Sequence, residues 1–261
     1  MDRPAVLAAF DEQVRRHPRL DPRDGHVECG GGVVRCVSWG PGWSGVVWSG
    51  LDRTTADAAI SGQVERFAVV PDRWEWKHYS HDQPPDLPER LLAAGFTAGP
   101  AETLMVAEIA DLALDLPPPA GVELVPVADA GGVEAMESVH DRVFGGDNSA
   151  VGAAVLADLS RRTGTVAAVV AVAGDTPVAA GRVEFHLGTD FASLWGGGTL
   201  PDWRGRGVFR SLVAHRAGLA AAGGFRYLQV DASADSRPIL RRLGFAELAT
   251  TTPFTHRGRA G

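Results

Sequence analysis

The sequence predicts a mixed α/β fold, a largely antiparallel twisted sheet flanked by helices, and three observations carry that prediction. In the second half, strand and helix periodicities alternate in the order β-α-α-β-β-β-α-β-α-β, with short polar or glycine turns joining the three central strands as hairpins require. Three consecutive prolines at residues 117–119 interrupt the chain near its middle, where they favour an extended, semi-rigid link over helix or sheet interior. The tail of the first half also repeats features of the tail of the second, which points to the same fold present twice.

Taken in order, residues 33–39 and 45–49 read as strands, 55–67 as a helix, 73–79 as an alternating strand, 88–94 as a short helix and 102–109 as a strand. The proline link then separates a domain at 1–115 from one at 116–261. The second domain begins with a short strand at 122–127 and helices at 129–144 and 150–161, parted by Gly145-Gly-Asp-Asn148. Strands follow at 166–173, 177–186 and 191–200, the last closed by Pro201. Phe209, Leu212, Val213, Ala217 and Ala220 then lie on one helical face, and Gly223-Gly224 stops that helix. A strand at 226–230, a helix at 238–243 and a final strand toward Phe254 complete the order. Aligning Gly95-Phe96 with Gly244-Phe245 places Leu91 on Leu240 and Thr103 on Thr252.

Formal net charge is −7 over 261 residues, which gives no general attraction to nucleic acid or an anionic membrane surface. No apolar run approaches the roughly 20 residues needed to cross a bilayer, and the expectation is a soluble, cytoplasmic protein. Cys29 and Cys36 are too few and too loosely spaced for a disulfide framework or a zinc site, so they read as reduced, partly buried thiols. His78 and His81 lack further ligands around them, and no metal is expected. Gly30-Gly31-Gly32 reads as a hairpin turn, because no helix follows it.

The distinctive feature is the run Arg204-Gly205-Arg206-Gly207-Val208-Phe209-Arg210, placed where a strand ending in proline gives way to a helix. Glycines let consecutive backbone N–H groups point into one concavity, a helix N-terminus adds partial positive charge, and arginines add charge-assisted bonds, all of which suit phosphate. Residues 194–245, LWGGGTLPDWRGRGVFRSLVAHRAGLAAAGGFRYLQVDASADSRPILRRLGF, resemble the GNAT superfamily of N-acetyltransferases. The resemblance covers the second half in full element order and the first only through its tail, which implies tandem GNAT-like acyl-CoA N-acyltransferase folds with a degenerate first copy.

The resemblance implies acetyl-CoA as co-substrate. Gly198, Thr199 and Leu200 would offer strand backbone to the pantetheine arm and the acetyl carbonyl, and the amides of Gly205, Arg206, Gly207, Val208, Phe209 and Arg210 would meet the pyrophosphate. Phe209 stands where the family has Gly or Ala, so either the helix starts differently or the ring turns into the core. Leu240 stands at the tyrosine that protonates the leaving thiolate in many members, and Ser233 at an asparagine that contacts the cofactor. Ser233 and Ser236 remain able to bond the pantetheine, with capping of the next helix an alternative for Ser236.

Acyl transfer to an amine needs proton removal and stabilisation of a developing oxyanion. Backbone N–H near Thr199 or Leu200 could serve the second need. Glu184 is the carboxylate best placed as base, with His186 on the same strand face; the plainer alternative is a solvent-facing residue of a half-exposed hairpin. His140, Asp141 and Asp147 fall in a region that lines the acceptor pocket in the family, and Trp195 could form a wall of it, though ordinary packing would also explain it. Two readings stand: transfer to a primary amine of a small molecule or peptide, by a monomer (a tandem pseudo-dimer) or a homodimer, and a non-catalytic acyl-CoA sensor or partner-binding pseudoenzyme.

Overall fold

Strands form where burial alternates with period two, and the structure, a computed structural model, describes residues 1–40, 42–68 and 73–258. The first half contains α1 (Arg3–Phe10), which runs into a wider helical segment Asp11–Arg16, then β1 (Gly25–Gly30), β2 (Val33–Ser38), β3 (Gly45–Ser49) and α2 (Ala56–Arg66). It continues with β4 (Arg73–Tyr79), α3 (Leu87–Ala93), β5 (Thr97–Ala98) and β6 (Glu102–Glu108). The second half contains β7 (Val122–Pro126), α4 (Ala130–Phe144), α5 (Ser149–Arg161), β8 (Val166–Ala173), β9 (Thr176–Phe185) and β10 (Phe191–Thr199). It ends with α6 (Val208–Ala222), β11 (Tyr227–Ala232), α7 (Arg237–Arg242) and β12 (Ala246–Arg257). Among the described residues no helix is long and apolar enough to cross a membrane.

Three elements, α1, β1 and the two-residue β5, escape the periodicity. The helix α1 buries only Val6 and Phe10, four residues apart, so its apolar face is too short to register as a pattern. Strand β1 carries His26 and Glu28 on one face, where Glu28 bonds Arg35 and Arg66 as well as His26. Those bonds hold the Glu28 carboxyl down at about 2, and they place polar side chains where a strand signal needs apolar ones. Gly31 and Gly32 do form the expected turn, between β1 and β2. Of the two free thiols Cys36 is buried, and Cys29 is exposed rather than partly buried.

The chain divides into two compact units whose membership crosses the proline link. One comprises Asp2–Leu104, Asp231–Ala234 and Glu247–Gly261; the other comprises Met105–Val230 and Asp235–Ala246, with Met1. In the first unit the strands run β1-β2-β3-β4-β12, and β12 lies antiparallel to β4 from Thr251 opposite Tyr79 to Arg257 opposite Arg73. In the second they run β6-β11-β10-β9-β8-β7, with β6 contributing from Met105 onward. Each unit therefore takes a strand from the other half of the sequence. A cut at residue 115 does not reproduce this division, because β12 lies beyond it and packs with the first half.

Both units repeat one device. Strands β3 and β4 are parallel only at Gly45–Glu75 and Val46–Trp76, and β10 and β11 only from Phe191–Tyr227 to Ser193–Gln229. Beyond those pairs the strands diverge and a wedge opens in the ladder. The short helices that follow also end alike: Gly95 and Gly244 turn the chain at φ +91° and +104°, and Phe96 and Phe245 each donate to the carbonyl of Leu91 or Leu240 at 3.1 Å. Both leucines are buried.

The second unit packs helices on both faces of β8 and β9. Val133, Met136, Val139 and Val155 of α4 and α5 cover Ala168, Val170 and Ala180, whereas Val208 and Leu212 of α6 cover Val169, Ala171 and Ala179. Burial on both faces is why β8 reads as an unbroken apolar run. In the first unit Trp74 stacks on Phe67 at 4.3 Å and shares a core with Trp76, Leu87, Leu91 and Phe254, the last supplied by β12. Truncating a buried Phe costs about 3–5 kcal/mol, so Phe254→Ala is expected to destabilise the first unit by that amount in a denaturant titration. Deleting residues 246–261 should red-shift the Trp74 and Trp76 fluorescence, and an unchanged emission spectrum would contradict the strand's assignment to this core.

Candidate active site

The site grows out of the wedge between β10 and β11 in the second unit. Leu200 N–H donates to the Val178 carbonyl at 2.9 Å, and its carbonyl accepts from Trp203 N–H at 2.9 Å, so both main-chain groups of Leu200 are committed. Leu200 is therefore not the amide donor anticipated for an oxyanion. Because N–H groups alternate between the two edges of a strand, Thr199 presents its N–H to the edge that β11 has left. The Thr199 carbonyl on that edge accepts from Arg204 Nε at 3.1 Å, and its buried hydroxyl has no hydrogen-bond partner among the described residues.

Past Pro201 the chain makes one 3-10 turn and enters the glycine loop. Gly205 and Gly207 sit at φ +73° and +94°, a region that costs an L side chain about 1–2 kcal/mol. Gly207 is the N-cap of α6 and makes no side-chain cap bond; Ser211 N–H is the first amide bonded back, to the Gly207 carbonyl at 3.1 Å. The amides of Val208, Phe209 and Arg210 therefore have no helical acceptor, and a Cβ at Gly205 would meet only open space. Arg206 lies over the Trp203 ring at 4.9 Å. This arrangement can hold a phosphate group on backbone N–H donors.

Phe209 does not disturb the helix start, which falls at Val208. Its ring turns toward β10, where a Cβ at Gly197 would stand 3.2 Å from it. A missing side chain on the strand thus makes room for an extra one on the helix.

The first unit has no glycine loop at the start of its helix α2. Ahead of α2, the Asp52 carboxylate accepts from the N–H groups of Thr54 and Thr55 at 2.8 and 2.9 Å and from both hydroxyls at 2.7 and 3.0 Å. Those bonds, the Thr54 hydroxyl foremost, hold Asp52 down at about 2. These donors precede Ala56, the first residue of α2, so they are not the counterparts of the first α6 amides.

On the α4 side of the sheet, β9 and β10 bring a polar row together. Arg182 and Glu184 face Trp195 and Ser193 across the ladder, and Arg182 Nε donates to Glu184 Oε1 at 2.8 Å. The Glu184 carboxylate is thus an ion-paired group. His186 Nε2 and Ser193 Oγ are 2.7 Å apart, and Arg182 lies 6.0 Å from the Trp195 ring centroid. His140, on α4 and 2% exposed, donates from Nε2 to the Gly196 carbonyl at 2.9 Å. Burial pushes the imidazoles of His140 and His186 below their ordinary range; Arg182 adds to this at His140, while Glu184 opposes it at His186.

The remaining sequence candidates do not join this row. Exposed Asp147 accepts from Ser149 N–H at 2.8 Å and starts α5, while Asp141 bonds Asn148 Nδ2 at 2.8 Å in the preceding turn. Ser236 occupies the N-cap position of α7 without a side-chain cap bond, and Ser233 falls in the segment grouped with the first unit. Leu240 is 1% exposed, so its position is a core position. No cluster of metal-binding side chains occurs among the described residues. A cavity of about 300 Å³ lined by Ile109, Leu112, Phe225 and Arg226 lies at the opposite end of α6 from the loop.

Sequence reasoning missed Gly181, Gly196 and Arg216. Between Trp195 and Gly198 strand β10 carries one residue more than β9, a bulge with Gly196 at φ +59°. Arg216 of α6, 1% exposed, donates from Nη1 to the carbonyls of Arg182 at 3.1 Å and Trp195 at 3.4 Å. Three successive glycines in a strand interior are the signal that could have found the bulge.

A mixed sheet with a bulged strand, a parallel wedge beside it and a glycine loop opening the next helix defines the fold of the GCN5-related N-acetyltransferases, here in tandem. No known family profile matches the sequence, and neither does any curated protein. Solved structures do match across the chain. A GCN5-related N-acetyltransferase from Kribbella flavida superposes with TM-score 0.71 at 20% identity, over 100% of this chain and 96% of that one. A tandem GNAT protein from the clavulanic acid biosynthesis pathway gives 0.61 at 14%, over 99% and 95%, and a GCN5-related N-acetyltransferase from Sphaerobacter thermophilus gives 0.56 at 16%, over 100% and 94%. At these identities the likeness establishes the fold.

His140 and His186, with His78 and His215, whose imidazoles burial also holds low, set a pH dependence. An unfolded His titrates near 6.5, and these folded pKa values lie lower, so below about 6.5 the unfolded chain binds the protons first. Stability present above that pH is expected to fall as pH drops toward 5, with a shallower slope for His140→Gln; equal slopes for the variant and the parent would refute it.

Proposed function

We propose that the chain is an N-acyltransferase that moves an acetyl or related small acyl group from acetyl-CoA to a primary amine of a small molecule or peptide, by direct attack. The observation that carries this reading is the uncapped start of α6, with Gly205 and Gly207 in left-handed conformations beside the open edge of β10. The residues fit coenzyme A: the amides of Val208, Phe209 and Arg210 would hold its pyrophosphate, and the Thr199 N–H and unpartnered hydroxyl would meet the pantetheine arm. When bound, acetyl-CoA supplies a thioester carbonyl open to attack by an amine. The polar row of Arg182, Glu184, Trp195 and His140 lies on the face suited to the acceptor. With Leu240 buried at the tyrosine position, no side chain there donates to a departing thiolate, and a thiolate of modest basicity can leave without one.

The acyl-CoA sensor is the second reading, and the same buried Leu240 favours it. Release of coenzyme A thiol that depends on the amine, measured across a panel of amines, is the expected result. Tight acetyl-CoA binding without such release would select the sensor.

Gly207→Glu is expected to abolish acetyl-CoA binding in calorimetry, because it places bulk and negative charge against the phosphate donors; undiminished affinity in a folded variant would remove the loop from the site. Calorimetric stoichiometry should be one acetyl-CoA per chain, since residues 51–55 ahead of α2 in the first unit contain no glycine loop. A stoichiometry of two would overturn that.

A further inference from the structure

A fully buried guanidinium is costly unless a carboxylate accompanies it. Arg216 has none among the described residues; its partners are the carbonyls of Leu212, Arg182 and Trp195. Burial, with Arg182 as the neighbouring charge, pushes it down to about 9. The surrounding face of α6 packs Val208, Leu212 and Val213 into the core, so an aliphatic residue at 216 would suit the helix as well. Space is also given up for it: a Cβ at Gly181 would stand 2.7 Å from Arg216 Nη1, and one at Gly197 would stand 3.2 Å from Nη2. A local packing rule is broken at a definite point, and that point is the β10 bulge.

At the bulge two consecutive carbonyls are met by side chains of helices on opposite faces of the sheet. Trp195 O is held by Arg216 on the α6 side, and Gly196 O by His140 Nε2 on the α4 side. In a planar trans peptide the N–H points opposite to the C=O. Trp195 is paired with Arg182 of β9, so its carbonyl points toward β9 and the Gly196 N–H points the other way, toward the edge that β11 has left. A cation on the carbonyl also polarises that peptide and strengthens its N–H as a donor.

We infer that Arg216 is a positioning residue for acyl transfer, holding and polarising the Trp195–Gly196 peptide so that the Gly196 N–H is the donor to the acyl oxygen. This rests on the acyltransferase reading. As the acceptor nitrogen bonds the acyl carbon, the carbon–sulfur bond breaks with its electron pair going to sulfur and the amine proton leaves to solvent. Negative charge rises and falls on the acyl oxygen, and a donor aimed there lowers the barrier.

The test uses Arg216→Met and Arg216→Lys in the full chain, with three readouts: the Gly196 amide resonance in the free protein, acetyl-CoA affinity by calorimetry, and the kcat–KM split. Arg216→Met should shift the Gly196 amide upfield and lower kcat at least about 10-fold, a modest part of what losing an oxyanion donor costs, with acetyl-CoA affinity within about 2-fold. Arg216→Lys should recover most of kcat and of the shift. Unchanged kcat or an unmoved Gly196 resonance in Arg216→Met overturns the inference, as does loss of rate only in step with loss of acetyl-CoA binding. Should Arg216→Met not fold, a folded Arg216→Lys whose kcat collapses while its Gly196 resonance stays in place overturns it equally. Failure of the parent protein to release thiol with any amine defeats the acyltransferase reading instead, and the Gly196 resonance still decides whether Arg216 polarises the peptide.

Discussion

An interior strand cannot leave its backbone polar groups unsatisfied, and β10 has to do something close to that in order to open a wedge. Its solution is the bulge at Trp195–Gly198, where two successive carbonyls are met by His140 from one helix and Arg216 from another. Much of the local sequence follows from this. The strand must be glycine at 196 and 197, the adjacent strand must be glycine at 181, and each helix must commit a buried polar residue to a face that otherwise packs apolar side chains. Phe209 then fills volume that Gly197 left.

The two copies of the fold differ most where a few atoms decide the chemistry. Both have a parallel pair that diverges and a helix beginning at the gap. In the second copy that helix starts from glycines with its first amides free of helical acceptors; in the first, no glycines precede the helix and the Asp52 carboxylate ties down the two threonines ahead of it.

Legibility in the sequence tracked how local each determinant is. Turn chemistry and period-two burial placed the strands of the second half within a residue or two, and the Arg-Gly-Arg-Gly run marked the helix start, because each is decided by neighbours in the chain. Helix α1 and strand β1 were not legible, the one because two buried residues make no stripe, the other because Glu28 takes its partners Arg35 and Arg66 from β2 and α2. At the site, the commitment of the Leu200 amide to Val178 and the ion pair on Glu184 depend on register between strands. Arg216 was invisible for the same reason: an arginine on a helix reads as surface until the glycines it reaches, 35 residues away at Gly181 and 19 away at Gly197, are known to lie beneath it.

The placement of β12 against β4 has a further meaning for how the chain is made. Thr251 bonds the carbonyl of His78 across 173 residues of sequence, and closing so long a loop is entropically and kinetically expensive. On the ribosome the first copy emerges early, yet the edge of β4 stays open until β12, residues 246–257, has also been made. An exposed strand edge invites pairing with other chains, so for most of its synthesis the first copy depends on other means of protection. The duplicated fold is complete only when its last strand arrives.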